Sequence, residues 1–168
     1  FVTIKNNIRI RQIMYNPNFM LFGYLNDFFK NDAIKYQEKC LSQTTCVFSD
    51  QKLLGFYSIS CDALRLTNSE RKDIDKNLKV YPAIMIGRMA FQKGHHGRGL
   101  GRLIVNYIKG TVLLLNKHPG LGVRFLTVDA YKDKIEFYKK CCFVENRSEH
   151  HKNISSTISM RHNLLNFE

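Results

Sequence analysis

The sequence predicts an α/β or α+β fold in which helices cover the faces of a sheet. Apolar residues alternate in several short stretches, as in half-buried strands, and recur at helical spacing in others. These stretches follow one another as strand, two helices, hairpin, strand, helix, strand, helix and strand. No linker rich in Pro, Gly or Ser interrupts the 168 residues, so we expect one domain over residues 1–168.

In the N-terminal half, alternation over residues 2–14 predicts a strand, and helical spacing over residues 19–41 predicts helices. Asn31-Asp32 is expected to divide that stretch into two helices, with Asp32 capping the second. Residues 44–49 and 53–60 flank a short polar turn and are typical of a hairpin.

The C-terminal half continues with elements of both kinds. Residues 67–78 are polar and compatible with a helix, with Asn68 or Ser69 as its cap. The predicted ranges that follow are a strand over 83–91, a helix over 100–115, a strand over 123–128, a helix over 135–139 and a strand over 155–162.

The charge of the chain is strongly unbalanced. Lys and Arg number 26 against 14 Asp and Glu, a formal net charge of +12. A polyanionic partner such as nucleic acid explains this excess, while the alternative is a basic surface that only aids solubility. The sequence has no basic tail, so any positive patch must be assembled by the fold.

The five cysteines are odd in number and fit no disulfide framework or zinc motif, which favours buried, reduced thiols and a cytoplasmic location. No apolar run approaches the roughly 20 residues that span a bilayer, so we expect no membrane partner. His95 and the pair His150-His151 have no third ligand at suitable spacing, so we expect no metal.

Glycine alternates with other residues at 97, 99 and 101, just before the long predicted helix. Without side chains there, backbone N–H groups can converge on an anion, and the helix adds its positive end. Arg98 and Arg102 oppose the helix dipole unless a bound anion neutralises them. The alternative is a tight connecting turn. Gly-Lys-Ser/Thr is absent, and so is the acid of a dinucleotide fingerprint, so neither of those motifs applies.

The turn resembles the acyl-CoA pyrophosphate loop of the GNAT acetyltransferases, Arg/Gln-x-x-Gly-x-Gly/Ala, with His96 in the Arg/Gln position. Residues 135–143 resemble that family's F-Y-x-x-x-G-F ending, with Cys142 where Gly is usual. The two motifs occur in the family's order, with the strand over 123–128 between them.

The resemblance extends to the acetyltransferase toxins of toxin–antitoxin pairs. It covers residues 22–29, the hairpin segments 45–48 and 54–60, and residues 86–90, which are similar to the branch's G-R-L-A strand. It implies a single GNAT-like domain with a mixed, mostly antiparallel central sheet flanked by helices.

The resemblance also implies a site. Pantetheine should lie along the strand before the turn, and the pyrophosphate should lie on the turn itself. Tyr138 should be the catalytic acid that protonates the departing CoA thiolate. The residues implied for acetyl-CoA are Met89, Ala90, Phe91, His96, Gly97, Arg98, Gly99, Leu100, Gly101 and Arg102.

Arg88 is a cation within an apolar strand, either paired with an acid or aimed at an anionic substrate. Glu136 and Asp129 are candidate bases, although we favour water or an already neutral substrate amine. The leading acceptor is the α-amine of aminoacyl-tRNA, with an antitoxin and a second copy of the chain as further partners. The alternatives are a small amine or a protein lysine, and a catalytically inactive fold that binds RNA or protein.

Overall fold

The computed structural model describes residues 2–5, 23–72, 74–95, 97–117, 120–147 and 156–166. The strands are β1 (Val2–Lys5), β2 (Gln43–Ser49), β3 (Lys52–Arg65), β4 (Val80–Phe91), β5 (Phe125–Tyr131), β6 (Val144–Glu145) and β7 (Thr157–Asn163). The α-helices are α1 (Gly23–Asp27), α2 (Ala33–Glu38), α3 (Leu100–Lys117) and α4 (Ile135–Lys140).

The strands form one seven-stranded sheet in the order β1-β2-β3-β4-β5-β7-β6. β4 and β5 pair in parallel, whereas β1–β2, β2–β3, β5–β7 and β6–β7 are antiparallel. The predicted mixed, mostly antiparallel sheet with accompanying helices is therefore confirmed. Of the predicted first strand, residues 2–5 are strand and residues 6–14 lie outside the described part of the chain.

The chain groups into two compact units, residues 1–60 with 86–101 and residues 61–85 with 102–168. In the first unit, the hairpin turn places Asp50 and Gln51 at φ 46° and 66°, the left-handed geometry that suits a two-residue hairpin. The Phe29 and Phe56 rings stack with centroids 4.7 Å apart. The core of this unit comprises Phe28, Phe29, Ala33, Cys46, Phe48, Leu53, Phe56 and Ala90.

The predicted break in the N-terminal helical stretch takes an unexpected form. α1 and α2 are joined by a π-helical turn, Phe28–Asp32, rather than by a loop. Asp32 is the N-cap residue of α2 but makes no side-chain capping hydrogen bond. The π turn buries Phe28 and Phe29 in the core of the first unit.

In the second unit, Tyr81 and Phe125 meet edge to face in a core that also contains Leu64, Leu66 and Ala83. The polar segment over 67–78, whose composition is compatible with a helix, forms turns in its described part. The N–H and the Oγ1 of Thr67 both donate to Glu70 Oε2, a pattern typical of the start of a helix. Here the same carboxylate also accepts hydrogen bonds from distant segments of the chain. Arg161 and the Arg147 N–H donate to the other carboxylate oxygen, Glu70 Oε1.

All five cysteines are free. Cys46 and Cys141 are buried as expected, and burial raises the pKa of the Cys46 thiol to about 12. The expectation is wrong for Cys40, Cys61 and Cys142, which are exposed. Among the described residues, no helix is long and apolar enough to cross a membrane.

Candidate active site

The glycine turn of the first unit has the backbone geometry of an anion-binding loop. Gly97 and Gly99 adopt φ values of 75° and 77°, while Arg98 between them stays outside the left-handed region. Such alternation turns successive N–H groups towards one concave side. Among the atoms of the described residues, none outside the adjoining chain would lie within 4 Å of a Cβ at either glycine, so these residues leave the turn open.

Two cations lie in or next to this turn. Arg98 is exposed within it, and Arg102 is exposed in the first turn of α3, which begins at Leu100. The first residues of a helix leave their N–H groups without intrahelical partners, so Leu100 and Gly101 add donors at this end. His96 lies outside the described residues.

The end of β4 leads directly into the turn. Ala90 is buried, whereas Met89 and Phe91 are half-buried. β3 approaches this end so closely that a Cβ on Gly55 would lie 2.2 Å from the Ala90 carbonyl oxygen. The Gln92 N–H donates to the Leu54 carbonyl at 2.8 Å, which extends the association of the two strands past Phe91.

Arg88 is held in a way that the sequence did not suggest. Its guanidinium carbon lies 3.8 Å from the centroid of the Phe28 ring and 5.5 Å from that of Tyr36. Within the described ranges no acid forms a salt bridge with it. A guanidinium over an aromatic face is stabilised by the ring quadrupole. A role of Arg88 towards a substrate stays a prediction.

In the second unit, Tyr138 lies on α4 and is only 7% exposed. Its ring meets those of Phe137 and Phe143 edge on, with centroids 4.9 and 5.5 Å away. Burial, with a smaller contribution from the neighbouring Cys141, raises the pKa of the Tyr138 hydroxyl above its ordinary value. The phenol therefore stays protonated at neutral pH and can act as a hydrogen-bond and proton donor.

The C-terminus of α4 explains how Cys142 replaces the glycine of the family motif. The Phe143 N–H donates to the Tyr138 carbonyl at 3.0 Å, and the Cys142 N–H donates to the Lys139 carbonyl at 2.9 Å. This pair of bonds is the Schellman motif, whose left-handed residue is usually glycine. Cys142 adopts that conformation, with φ 62°.

Two residues missed by the sequence reasoning hold the same turn. The Lys109 ammonium donates to the Cys141 carbonyl at 2.6 Å, and His162 Nδ1 lies 2.9 Å from the Cys142 carbonyl. The sequence does give one indication of Lys109, because it is a lysine next to Ile108 on the apolar face of the helix. Its acceptor, the Cys141 carbonyl, is 32 positions away along the chain, and no local sequence pattern indicates that contact.

The candidate bases are both exposed. Glu136 forms an ion pair with Lys139 at 3.2 Å, and Asp129 is exposed on β5. Among the residues that the structure describes, no group of three or more His, Cys, Asp or Glu side chains is arranged to hold a metal.

A mixed sheet with parallel β4 and β5, joined through a glycine turn and the long helix α3, defines a GNAT-like fold. No family model matches the chain. A mutant of the protein KacT matches it with a TM-score of 0.79 and 20% identity, covering 98% of this chain and 95% of that one. AtaT complexed with acetyl-methionyl-tRNAfMet matches with a TM-score of 0.73 and 17% identity, covering 95% of this chain and 94% of that one.

A third structure is a mutant AtaT toxin bound to the C-terminus of the antitoxin AtaR and to acetyl-CoA. It matches with a TM-score of 0.72 and 16% identity, covering 98% of this chain and 94% of that one. At these identities the likeness establishes the fold, which is shared over nearly the whole length of each chain.

Proposed function

We propose that this protein is an acetyl-CoA-dependent N-acetyltransferase toxin that acetylates the α-amine of aminoacyl-tRNA. The observation that carries the proposal is the turn before α3, in which Gly97 and Gly99 are left-handed and unobstructed and Arg98 is exposed between them. This combination suits a pyrophosphate, which accepts several N–H bonds and two cationic contacts at once.

The residues present fit acetyl-CoA as the acetyl donor. The N–H groups of residues 97–101 would hold the pyrophosphate, and Arg98 and Arg102 would neutralise it. The residues of β4 that pair with β5 are Ala83–Met85. Met89–Phe91 therefore lie beyond the part of β4 that is paired with β5. The amides of pantetheine would bind the backbone of these last β4 residues in the manner of an added strand. The mutant AtaT toxin, with the same fold, has a solved structure with acetyl-CoA bound.

Tyr138 would supply the proton that the reaction requires. The amine nitrogen attacks the thioester carbonyl, the new C–N bond forms, and the C–S bond breaks to release a thiolate. The Tyr138 hydroxyl protonates that sulfur, the nitrogen releases one proton to solvent as the amide forms, and Tyr138 regains its own proton from solvent. Burial keeps the phenol protonated, which is the state a general acid needs.

The choice of acceptor rests on charge and on the absence of a suitable base among the candidates. Glu136 is bound to Lys139 at the surface, which favours an amine that is already neutral. An α-amine has a pKa of about 7.7–8.0, so a large fraction is neutral near physiological pH. The net charge of +12 matches a polyanionic acceptor. The AtaT structure with acetyl-methionyl-tRNAfMet points to the same class of acceptor.

The proposed function implies a protein partner and a cellular location. A small antitoxin protein would bind this chain, as the AtaR C-terminus binds AtaT. Because translation is the target, the protein would act in the cytoplasm. A homodimer stays a prediction.

Transfer of label from acetyl-CoA tests the function. The protein is given labelled acetyl-CoA with a mixture of aminoacyl-tRNAs, uncharged tRNA, lysine-containing peptides and polyamines. We expect label on aminoacyl-tRNA alone, with a rate that falls steeply as salt is raised, because phosphate contacts release counterions. Label on peptides or polyamines alone would instead assign the small-amine or protein-lysine activity. No transfer to any acceptor would defeat the enzyme assignment.

A further inference from the structure

Lys109 lies in the middle of α3 and is only 3% exposed, in a helix face that otherwise buries apolar side chains. Burial lowers the pKa of its ammonium group, and the positive charge of Arg102 acts in the same direction. Placing an amine in such surroundings is unfavourable unless it is hydrogen-bonded. A specific contact must therefore offset this cost.

The contact is with the end of the helix that carries Tyr138. Lys109 Nζ donates to the carbonyl of Cys141, the C-cap residue of α4, at 2.6 Å. The last carbonyls of a helix have no intrahelical donors, and its C-terminus favours a cation. Lys109 thus caps α4 from a different helix.

The same turn is held from a second side. His162 on β7 lies with Nδ1 2.9 Å from the Cys142 carbonyl. The Phe143 ring is close to both of these side chains, with its centroid 5.5 Å from Lys109 Nζ and 5.6 Å from the centroid of the His162 ring. Phe143 in turn packs edge on against Tyr138. A continuous set of contacts therefore connects Lys109 to the ring of Tyr138.

We propose that Lys109 is a positioning residue, which fixes the C-terminal turn of α4 and thereby the location of the Tyr138 hydroxyl. The catalytic meaning of this role rests on the proposed function, in which Tyr138 is the acid. The desolvation of a buried ammonium group offsets much of the stability that its hydrogen bond contributes, so a gain in stability by itself is a weak reason for this lysine. The need to orient Tyr138, the proposed acid, gives a reason for a lysine rather than an apolar residue at position 109.

Kinetics of four proteins test the catalytic part: the parent, Lys109→Met, Tyr138→Phe and the double variant. We expect Lys109→Met to lower kcat by about 10–100-fold, since a displacement of the order of 1 Å has such effects. KM for acetyl-CoA should be unchanged. In the Tyr138→Phe background the same change should have no further effect. An unchanged kcat, or equal losses in both backgrounds, would overturn the inference.

Lys140→Met is the matched control, because Lys140 is an exposed lysine on α4 itself. It should leave kcat within about 2-fold of the parent, since an exposed side chain makes little contribution. Thermal unfolding of each variant shows whether a loss of activity follows a loss of fold. Should Lys109→Met fail to fold, Lys109→Gln undergoes the same tests.

A spectroscopic measurement decides the positional part without any turnover. With ¹³C-labelled tyrosine, the Tyr138 resonance is assigned by its disappearance in Tyr138→Phe. We expect Lys109→Met to shift that resonance and Lys140→Met to leave it in place. A Tyr138 signal that stays in place in Lys109→Met would refute the positioning role even in a protein that transfers acetyl. Failure of the parent to transfer acetyl would defeat the proposed function, while this measurement would still decide the position of Tyr138.

Discussion

The guanidinium of Arg161 donates a hydrogen bond over 2.7 Å to the carboxylate of Glu70, ninety-one positions away along the chain. The side chains of Arg161 and Glu70 are only 13% and 5% exposed. Thr67 and the Arg147 N–H bind the same carboxylate. One acid thus joins the segment after β3 to β7 and to the segment after β6.

Glu70→Gln is expected to destabilise the fold by about 2–4 kcal/mol at pH 7, because it leaves the largely buried Arg161 without its counter-charge. Burial alone raises the pKa of Glu70, but the bonds from Thr67 and Arg147 and the charge of Arg161 lower it overall from 4.5. The folded state therefore holds this proton less tightly than the unfolded state. The stabilisation is full above pH 4.5 and is lost as pH falls through the folded pKa.

Urea unfolding of parent and Glu70→Gln between pH 3 and 7 measures this difference, which should shrink towards the acid end. Glu136→Gln is the control and should leave stability close to that of the parent, since Glu136 and its partner Lys139 are exposed and solvent screens their ion pair. A difference between parent and Glu70→Gln that does not vary with pH would contradict the account.

Gly99→Val is expected to abolish stabilisation by acetyl-CoA. A side chain there would occupy the open space of the turn, and it would strain a backbone at φ 77°. Gly120→Val is the matched control, because Gly120 has φ 90° and equally open surroundings but lies outside the turn. The readout is the shift in thermal midpoint on adding acetyl-CoA. An equal shift in Gly99→Val and the parent would remove the pyrophosphate assignment.

Tyr138→Phe should lower kcat by about 10²–10⁴-fold while leaving acetyl-CoA affinity unchanged, since only the hydroxyl is lost. Because burial raises the pKa of Tyr138, ionisation of this phenol should not diminish the activity of the parent between pH 7 and 9. Tyr107→Phe, which changes an exposed tyrosine of α3, is the control and should leave kcat unchanged. Equal turnover in parent and Tyr138→Phe would mean that solvent protonates the thiolate.

Gly55→Ala should destabilise the protein by about 2 kcal/mol or more, as overpacking of a filled site does. The added Cβ would lie 2.2 Å from the Ala90 carbonyl oxygen, and backbone must move to relieve that overlap. Gly87→Ala tests the same exchange in β4, where the added Cβ would meet Ser58 O at an ordinary 3.8 Å. Thermal and urea unfolding compare the two. Similar stability of both variants would show that β3 and β4 are less closely packed here.

Cys142→Gly is expected to raise stability by about 0.5–1 kcal/mol, because glycine adopts φ 62° without the steric cost that other residues carry. Cys61→Gly provides the comparison, since Cys61 is also exposed but lies in β3, where glycine should be destabilising. The midpoint of urea unfolding, with an unchanged slope, is the measurement. A loss of stability in Cys142→Gly would mean that the thiol itself contributes to the turn.

Sequence reasoning worked where the signal is local. The hairpin between β2 and β3, the helix α3 and the short helix α4 were all predicted, because apolar periodicity and turn residues act over a few positions. The segment over 67–78 is compatible with a helix by composition, yet its described residues form turns. Its capping pattern exists, but the Glu70 carboxylate is also bound by Arg161 from β7, which no local pattern reveals.

The sequence by itself determined the hairpin, the helices α3 and α4 and the glycine turn with Arg98 and Arg102, and these required no knowledge of distant contacts. Only the tertiary structure decided that Arg88 stacks on Phe28 and that Lys109 caps the helix of Tyr138. It also decided that the Ala90 carbonyl approaches Gly55 too closely for any side chain there. Each of these relations joins residues that are far apart in sequence. They arise because the strand order brings the segments together, and the energy of each contact depends on distance in space rather than on position along the chain.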